Sequence, residues 1–187
     1  MKLFLIRHGQ TVTNLEKRWT GQSDVPLPEQ GRWEAEQIRP ILAGISFDRV
    51  YCSDLSRAVD TQKLALPGAL AEQTPLLREF DVGTLTGLPY DQVPPPQNGK
   101  RNYADYGGES SEAVCDRIRK FLKILEADPC KNVAAFVHNG IMNCMLRVVL
   151  QSDFVGGAVK SNNCAINVFE FDGQRWRLIA WNYMGKL

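Results

Sequence analysis

The chain opens with an unbroken apolar run, Leu3-Phe4-Leu5-Ile6, set between Lys2 and Arg7 and stopped at His8-Gly9. A run this short, closed by glycine, predicts a buried strand over Lys2–Arg7 that enters a tight turn. The pattern recurs at Arg49–Cys52 and at 133–137, where Val133-Ala134-Ala135-Phe136-Val137 leads straight into His138-Asn139-Gly140. Between these runs the apolar period becomes helical. Trp33, Ile38, Ile41 and Leu42 fall on one face of a helix over 29–43, which Pro40 should kink or shorten. Ser53 offers an N-cap to a helix over 54–66, ended by Pro67-Gly68. Ser110 or Ser111 caps another, whose Val114, Ile118, Phe121, Leu122 and Leu125 form a core stripe. An apolar helix follows His138 to about residue 150. Two strands over 165–171 and 176–183, hinged at Asp172-Gly173, complete the pattern.

Strands alternating with helices imply an α/β fold, a three-layer sandwich with a mostly parallel central sheet flanked by helices. With no repeat and no evident linker, residues 1–187 read as a single domain. The stretch 80–108, with Pro89, Pro94-Pro95-Pro96, Asn98-Gly99 and Gly107-Gly108, reads as a long irregular loop, either plain surface or an active-site flap. Composition adds mostly exclusions. The 187 residues carry a net charge of +1, so no global field points to nucleic acid, a membrane surface or an acidic partner. The first apolar run is too short for a secretory leader, and nothing approaches the roughly 20 apolar residues of a membrane span. Five cysteines, none in a C-x-x-C pattern, read as reduced thiols in a cytoplasmic protein.

Chemistry concentrates in the two histidines, the only ones in the chain. His8 and His138 each end a buried strand just before a glycine-containing turn, where open α/β sheets bind ligands. Helix N-termini that follow such turns point N–H groups at anions. Arg7 adjoins His8, and Arg57 falls in the first turn of a helix, against the macrodipole, a placement that makes sense if an anion sits between them. Guanidinium forks match phosphate oxygens two at a time. Trp19, Trp33, Trp176 and Trp181 read as packing or interface residues.

Four ordered blocks carry a resemblance: Arg7-His8-Gly9-Gln10-Thr11 with Asn14; Ser53-Asp54-Leu55-Ser56-Arg57 with Thr61; Leu77-Arg78-Glu79; and Val137-His138-Asn139-Gly140. Thr20-Gly21, Asp24, Pro26-Leu27, Gly31, Gly108-Glu109-Ser110 and Asn163 add smaller matches. Together they resemble the histidine phosphatase superfamily, the phosphoglycerate mutase-like group, and the layout is similar to small phosphatases such as α-ribazole phosphatase. The resemblance implies that His8 attacks phosphorus and becomes a phosphohistidine. It implies that Arg7, Arg57 and His138 grip the phosphoryl oxygens, with Asn14, Thr20, Gly21 and Asn139 lining the same site. Glu79 would protonate the leaving alkoxide and then take a proton from water. The implied partner is a small phosphorylated metabolite, with α-ribazole phosphate one candidate, and neither metal nor other cofactor is implied. Oligomeric state is open, a homodimer being one option.

Some positions depart from the family pattern. Asn139 stands where relatives place glycine, and asparagine tolerates unusual backbone angles. Thr84 and Thr86 replace larger groups, which puts the pocket wall in question. Pro28 replaces a threonine after Pro26-Leu27 and bears on a helix start. Rival chemistries fail on spacing. Cys52 and Arg57 are one residue short of Cys-x5-Arg, Pro94 occupies the glycine position of a phosphate loop, and two histidines cannot make a three-histidine zinc site. Phosphoglycerate mutase-type transfer and a catalytically silent phosphate binder are the alternatives; mutases of the family usually carry a longer insert after the acid block.

Overall fold

The computed structural model describes residues 1–95, 101–152 and 159–185. Pro96, Asn98 and Gly99 of the proline-rich loop therefore lie outside the described residues. Six strands form one sheet in the order β3-β2-β4-β1-β5-β6. They are β1 (Lys2–Arg7), β2 (Arg49–Cys52), β3 (Glu72–Gln73), β4 (Asn132–Val137), β5 (Ile166–Phe171) and β6 (Trp176–Tyr183). β1–β4, β2–β4 and β2–β3 pair in parallel, while β1–β5 and β5–β6 are antiparallel. The sheet is thus mostly parallel, as the apolar runs imply.

The short α1 (Val12–Leu15) follows the turn after β1, and helices α2 (Glu29–Gln37), α3 (Arg39–Ala43), α4 (Ser56–Ala65), α5 (Ser111–Glu126) and α6 (Asn139–Leu150) cover the sheet. Alternation along β4 divides the core. Val133, Ala135 and Val137 join α5 and α6 residues on one face, and Ala134 and Phe136 join Ala35, Ile38, Leu42 and Ala58 on the other. Both faces are covered, which is why the interiors of β1, β2 and β4 are apolar, whereas β3 at the sheet edge is exposed Glu72-Gln73.

Several expectations change in detail. The helical stretch over 29–43 breaks at Ile38, which ends α2 and caps α3, and Pro40 occupies the first turn of α3, where a missing N–H is harmless. Trp33 is not on the core face; it is exposed, and Gly31 and Ala35 face inward instead. Ser53 does not cap a helix from 54. The helix starts at Ser56, and its first N–H is received by Asp24 Oδ1 at 2.8 Å, a bond that also holds the Asp24 carboxyl below its usual range. Ser110, rather than Ser111, caps α5 by accepting from Ala113 N.

The turn after β1 lies against α2 with no room to spare. A Cβ on Gly31 would collide with the Gln10 carbonyl, and one on Gly9 with the Gly31 carbonyl. Gly31→Ala should therefore cost about 1–3 kcal/mol, lowering the melting temperature by roughly 2–10 °C. Gly44→Ala, where a Cβ meets only ordinary contact, should leave it unchanged; thermal unfolding of the two variants checks the difference.

Candidate active site

Parallel register assembles the site. Arg7 pairs with Val137 and Cys52 with Phe136, so β1, β4 and β2 end side by side. His8 N donates to Val137 O at 3.0 Å and Ser53 N to Phe136 O at 2.9 Å, carrying the pairing one residue past the strands. His8 and His138 consequently face one another with ring centroids 5.1 Å apart.

The His8 ring is held by its own turn. Nδ1 lies 2.7 Å from Gly9 O; a carbonyl only accepts, so Nδ1 carries the proton and Nε2 keeps its lone pair. Asn163 Nδ2 donates to His8 O at 3.0 Å and to Asn14 Oδ1 at 3.3 Å, and Thr11 N also donates to Asn14 Oδ1. With Oδ1 so engaged, the amide group of Asn14 is the part left for the cavity that Asn14 lines.

Arg57, in the first turn of α4, is 1% exposed. Its Nε donates to His138 Nδ1 at 3.2 Å, and its two Nη donate to Ser23 O and Gly21 O at 2.8 Å each. His138 is also fully buried, and since Nδ1 accepts from Arg57, Nε2 carries the proton and donates to Ser53 Oγ at 2.8 Å. Both nitrogens of His138 are thus engaged by protein, and His138 supports the site from beneath rather than lining the cavity. Arg7 donates through Nη1 to Ser161 O, while its Nε is buried without a partner among the described residues. That orphaned donor fits an arginine placed for an anion.

Glu79 reaches in from the segment after β3. Its Oε1 accepts from Phe80 N at 2.9 Å and Oε2 from Gly140 N, in the first turn of α6, at 3.0 Å. A Cβ at Gly140 would collide with Oε1, so glycine there is what admits the carboxylate. Asn139 takes the first helical position of α6 with no left-handed backbone, so the substitution does not strain the turn. Arg78 does not pair with Glu79; it forms a two-bond fork with Asp54 at 2.7 and 2.6 Å.

These groups surround a cavity of about 370 Å³ lined by Arg7, His8, Asn14, Thr20, Gly21, Arg57, Glu79 and Asn139, with His138 behind them. Thr84 and Thr86 are exposed and do not form the wall; Phe80, Val82, Tyr90 and Tyr103 do. Trp19, read as packing, lines the cavity too. Sequence reasoning also passed over Asn143 and Arg147, although 139, 143 and 147 follow helical spacing on α6 and could have been found that way. Gln22 and Arg117 were missed as well. Both donate to Glu79 O and to Glu109, fixing the Glu79 backbone from outside. Among the described residues no cluster of three or more His, Cys, Asp or Glu is placed to hold a metal.

The chain matches the model of the histidine phosphatase superfamily (branch 1) over residues 3–184 and belongs to that family. It is 30% identical over 161 residues to the adenosylcobalamin/alpha-ribazole phosphatase of Salmonella typhimurium, covering 80% of each chain. It is 26% identical over 193 residues to the probable phosphoglycerate mutase GpmB of Cronobacter sakazakii, covering 97% of this chain and 90% of that one. Among solved structures, a mycobacterial glucosyl-3-phosphoglycerate phosphatase in complex with VO3 superposes with a TM-score of 0.87 at 26% identity, covering 97% and 98% of the two chains. The fold is phosphoglycerate mutase-like, and the family's members include phosphatases and mutases.

Electrostatics make the site resist protonation. Burial, then Arg57 and Arg7, hold the His8 imidazole well below its usual pKa, and burial, then Arg57 and His8, do the same for His138. The unfolded chain takes up protons at both rings below about pH 6.5, whereas the folded one does not. Their neutral burial is therefore free of penalty above that pH and destabilises increasingly as pH falls towards the folded values. ¹⁵N spectra at pH 6 should show His8 neutral with the proton on Nδ1, and the urea midpoint should fall from pH 7 to pH 5. A doubly protonated His8 at pH 6 contradicts this geometry.

Proposed function

We propose that the chain is a phosphomonoester hydrolase that works through a phosphohistidine on His8, without a metal, on a small phosphorylated metabolite. The observation that carries this reading is the His8 ring itself: its proton is committed to Gly9 O, and burial, then the Arg57 and Arg7 guanidinium groups beside it, keep the ring neutral. A neutral imidazole with a free Nε2 is a nucleophile, and the neighbouring cations suit a phosphoryl group's charge.

In the first step Nε2 attacks phosphorus. The N–P bond forms as the ester P–O bond breaks, and Glu79, protonated in the substrate complex, gives its proton to the departing alkoxide. In the second, water attacks the phosphohistidine and yields a proton to Glu79, the N–P bond breaks, and inorganic phosphate leaves. Arg7, Arg57 and Asn14 hold the equatorial oxygens, with Thr20, Gly21 and Asn139 completing the cradle and His138 steadying Arg57. Residues 1–187 act as one domain, and the free cysteines fit a cytoplasmic enzyme.

Phosphoglycerate mutase-type transfer is the second reading, supported by the GpmB relative. Hydrolysis is favoured by the short interval between Glu79 and His138, where α5 is the one α-helix among the described residues. The 30% identical relative makes α-ribazole phosphate the first ester to try. The test is phosphate release with chelator present, from sugar phosphates, nucleotides, 3-phosphoglycerate and α-ribazole phosphate. Wild type should release phosphate from at least one, and His8→Ala should lose at least about 10³-fold in kcat. Equal release by both proteins removes His8 as nucleophile, and phosphate exchange without release favours the mutase.

A further inference from the structure

We infer that the leaving alcohol of the substrate carries a flat aromatic ring, recognised on a wall built from Trp19, Tyr90, Tyr103 and Arg101. The inference rests on the phosphomonoesterase reading and adds the chemical class of the ester.

The cavity has two unlike ends. Arginine, histidine, amide and glutamate groups occupy the inner one, while the outer wall is a chain of rings. Tyr90 and Trp19 lie 4.7 Å apart between centroids, Trp19 and Tyr103 5.6 Å, and Tyr103 and Phe80 5.2 Å, all edge to face. At about 370 Å³ the space is within the range of small-molecule sites and exceeds what a phosphoryl group alone needs. The wall is fixed by backbone pairing: Trp19 N donates to Leu88 O at 3.0 Å, Gly87 N to Trp19 O at 2.7 Å and Tyr90 N to Lys17 O at 2.8 Å. An apolar surface held open this way, beside a polar centre, calls for an apolar part of the ligand.

Arg101 narrows the choice to an aromatic one. Its guanidinium lies 5.4 Å from the Trp19 ring and 5.9 Å from that of Tyr106, tied to the Tyr106 hydroxyl and Pro94 carbonyl. A guanidinium plane among aromatic rings favours a further π face over a saturated chain. Trp19 Nε1 and Asn143 Oδ1, on two cavity side chains, are enclosed without a hydrogen-bond partner among the described residues. They supply one donor and one acceptor for polar atoms of the ring portion once the side chains adjust. A small aliphatic ester such as a phosphoglycerate leaves both the rings and these atoms unused.

The test compares 2-phenylethyl phosphate with 2-cyclohexylethyl phosphate, esters of similar size and leaving-group reactivity that differ in aromaticity. Wild type should prefer the phenyl ester by about threefold to tenfold in kcat/KM, the range of an added aromatic contact. Trp19→Leu should bring the ratio close to one and Arg101→Gln should lower it, whereas Trp33→Leu, at an exposed tryptophan outside the cavity, should not. Tyr90→Leu, at a half-exposed position, serves if the Trp19 variant fails to fold. Equal rates for the two esters, or a ratio indifferent to these variants, overturn the inference while leaving the phosphatase reading intact. If no ester is hydrolysed, that reading fails instead. Calorimetric binding of the two corresponding phosphonates then decides the aromatic preference on its own.

Discussion

The burial of Arg57 is the constraint around which the rest of the site is arranged. A guanidinium taken almost fully out of water must have its donors met, or the desolvation penalty of several kcal/mol stands uncompensated. Three acceptors from two parts of the chain meet it: carbonyls of Gly21 and Ser23 from the loop before α2, and the His138 ring from the end of β4. Each of those acceptors is in turn placed by something else. Gly21 sits in a left-handed conformation against Phe80 and Val82, and the proton of His138 goes to Ser53, which β2 delivers alongside. The cation therefore ties two strand ends and two loops into one unit, and what is left of its hydrogen-bonding capacity faces the cavity.

The same arrangement puts the two histidines, to which the resemblance gives different roles, in different hydrogen-bonding surroundings. His8 and His138 look alike in the sequence, each at a strand end before a glycine-containing turn. In the fold one keeps a lone pair directed away from its carbonyl partner, and the other spends both nitrogens on Arg57 and Ser53. The difference arises from the partners each ring meets: Gly9 O in the turn of His8 itself, and Arg57 and Ser53, which lie 81 and 85 positions from His138 and are brought to it by the sheet.

The order of the longer strands and helices was legible because buried parallel strands need unbroken apolar runs and the helices need one apolar face; the short α1 and the exposed edge strand β3 carry neither signal. The Arg7-His8 and Val137-His138 blocks were legible for the same reason, being attached to the ends of those runs. What escaped was set by contacts between distant segments. Asp24 caps α4 from 32 positions away, so Ser53 was misread as the cap. Trp33 has the right spacing for a core face but ends exposed, since Gly31 and Ala35 must face inward for α2 to approach the turn after β1. Trp19 reads as packing until the segment 87–90 pairs with its backbone and presents the ring to the cavity.

The central claim is that His8 Nε2 becomes covalently phosphorylated during turnover. Rapid mixing with a hydrolysable ester, alkaline quenching that preserves phosphoramidates, and peptide mass spectrometry would examine it directly. The account predicts a phosphoryl group on the peptide bearing His8, formed and consumed at rates compatible with kcat. Turnover with that peptide unmodified at every time point, or with the phosphoryl group on a different residue, would contradict it.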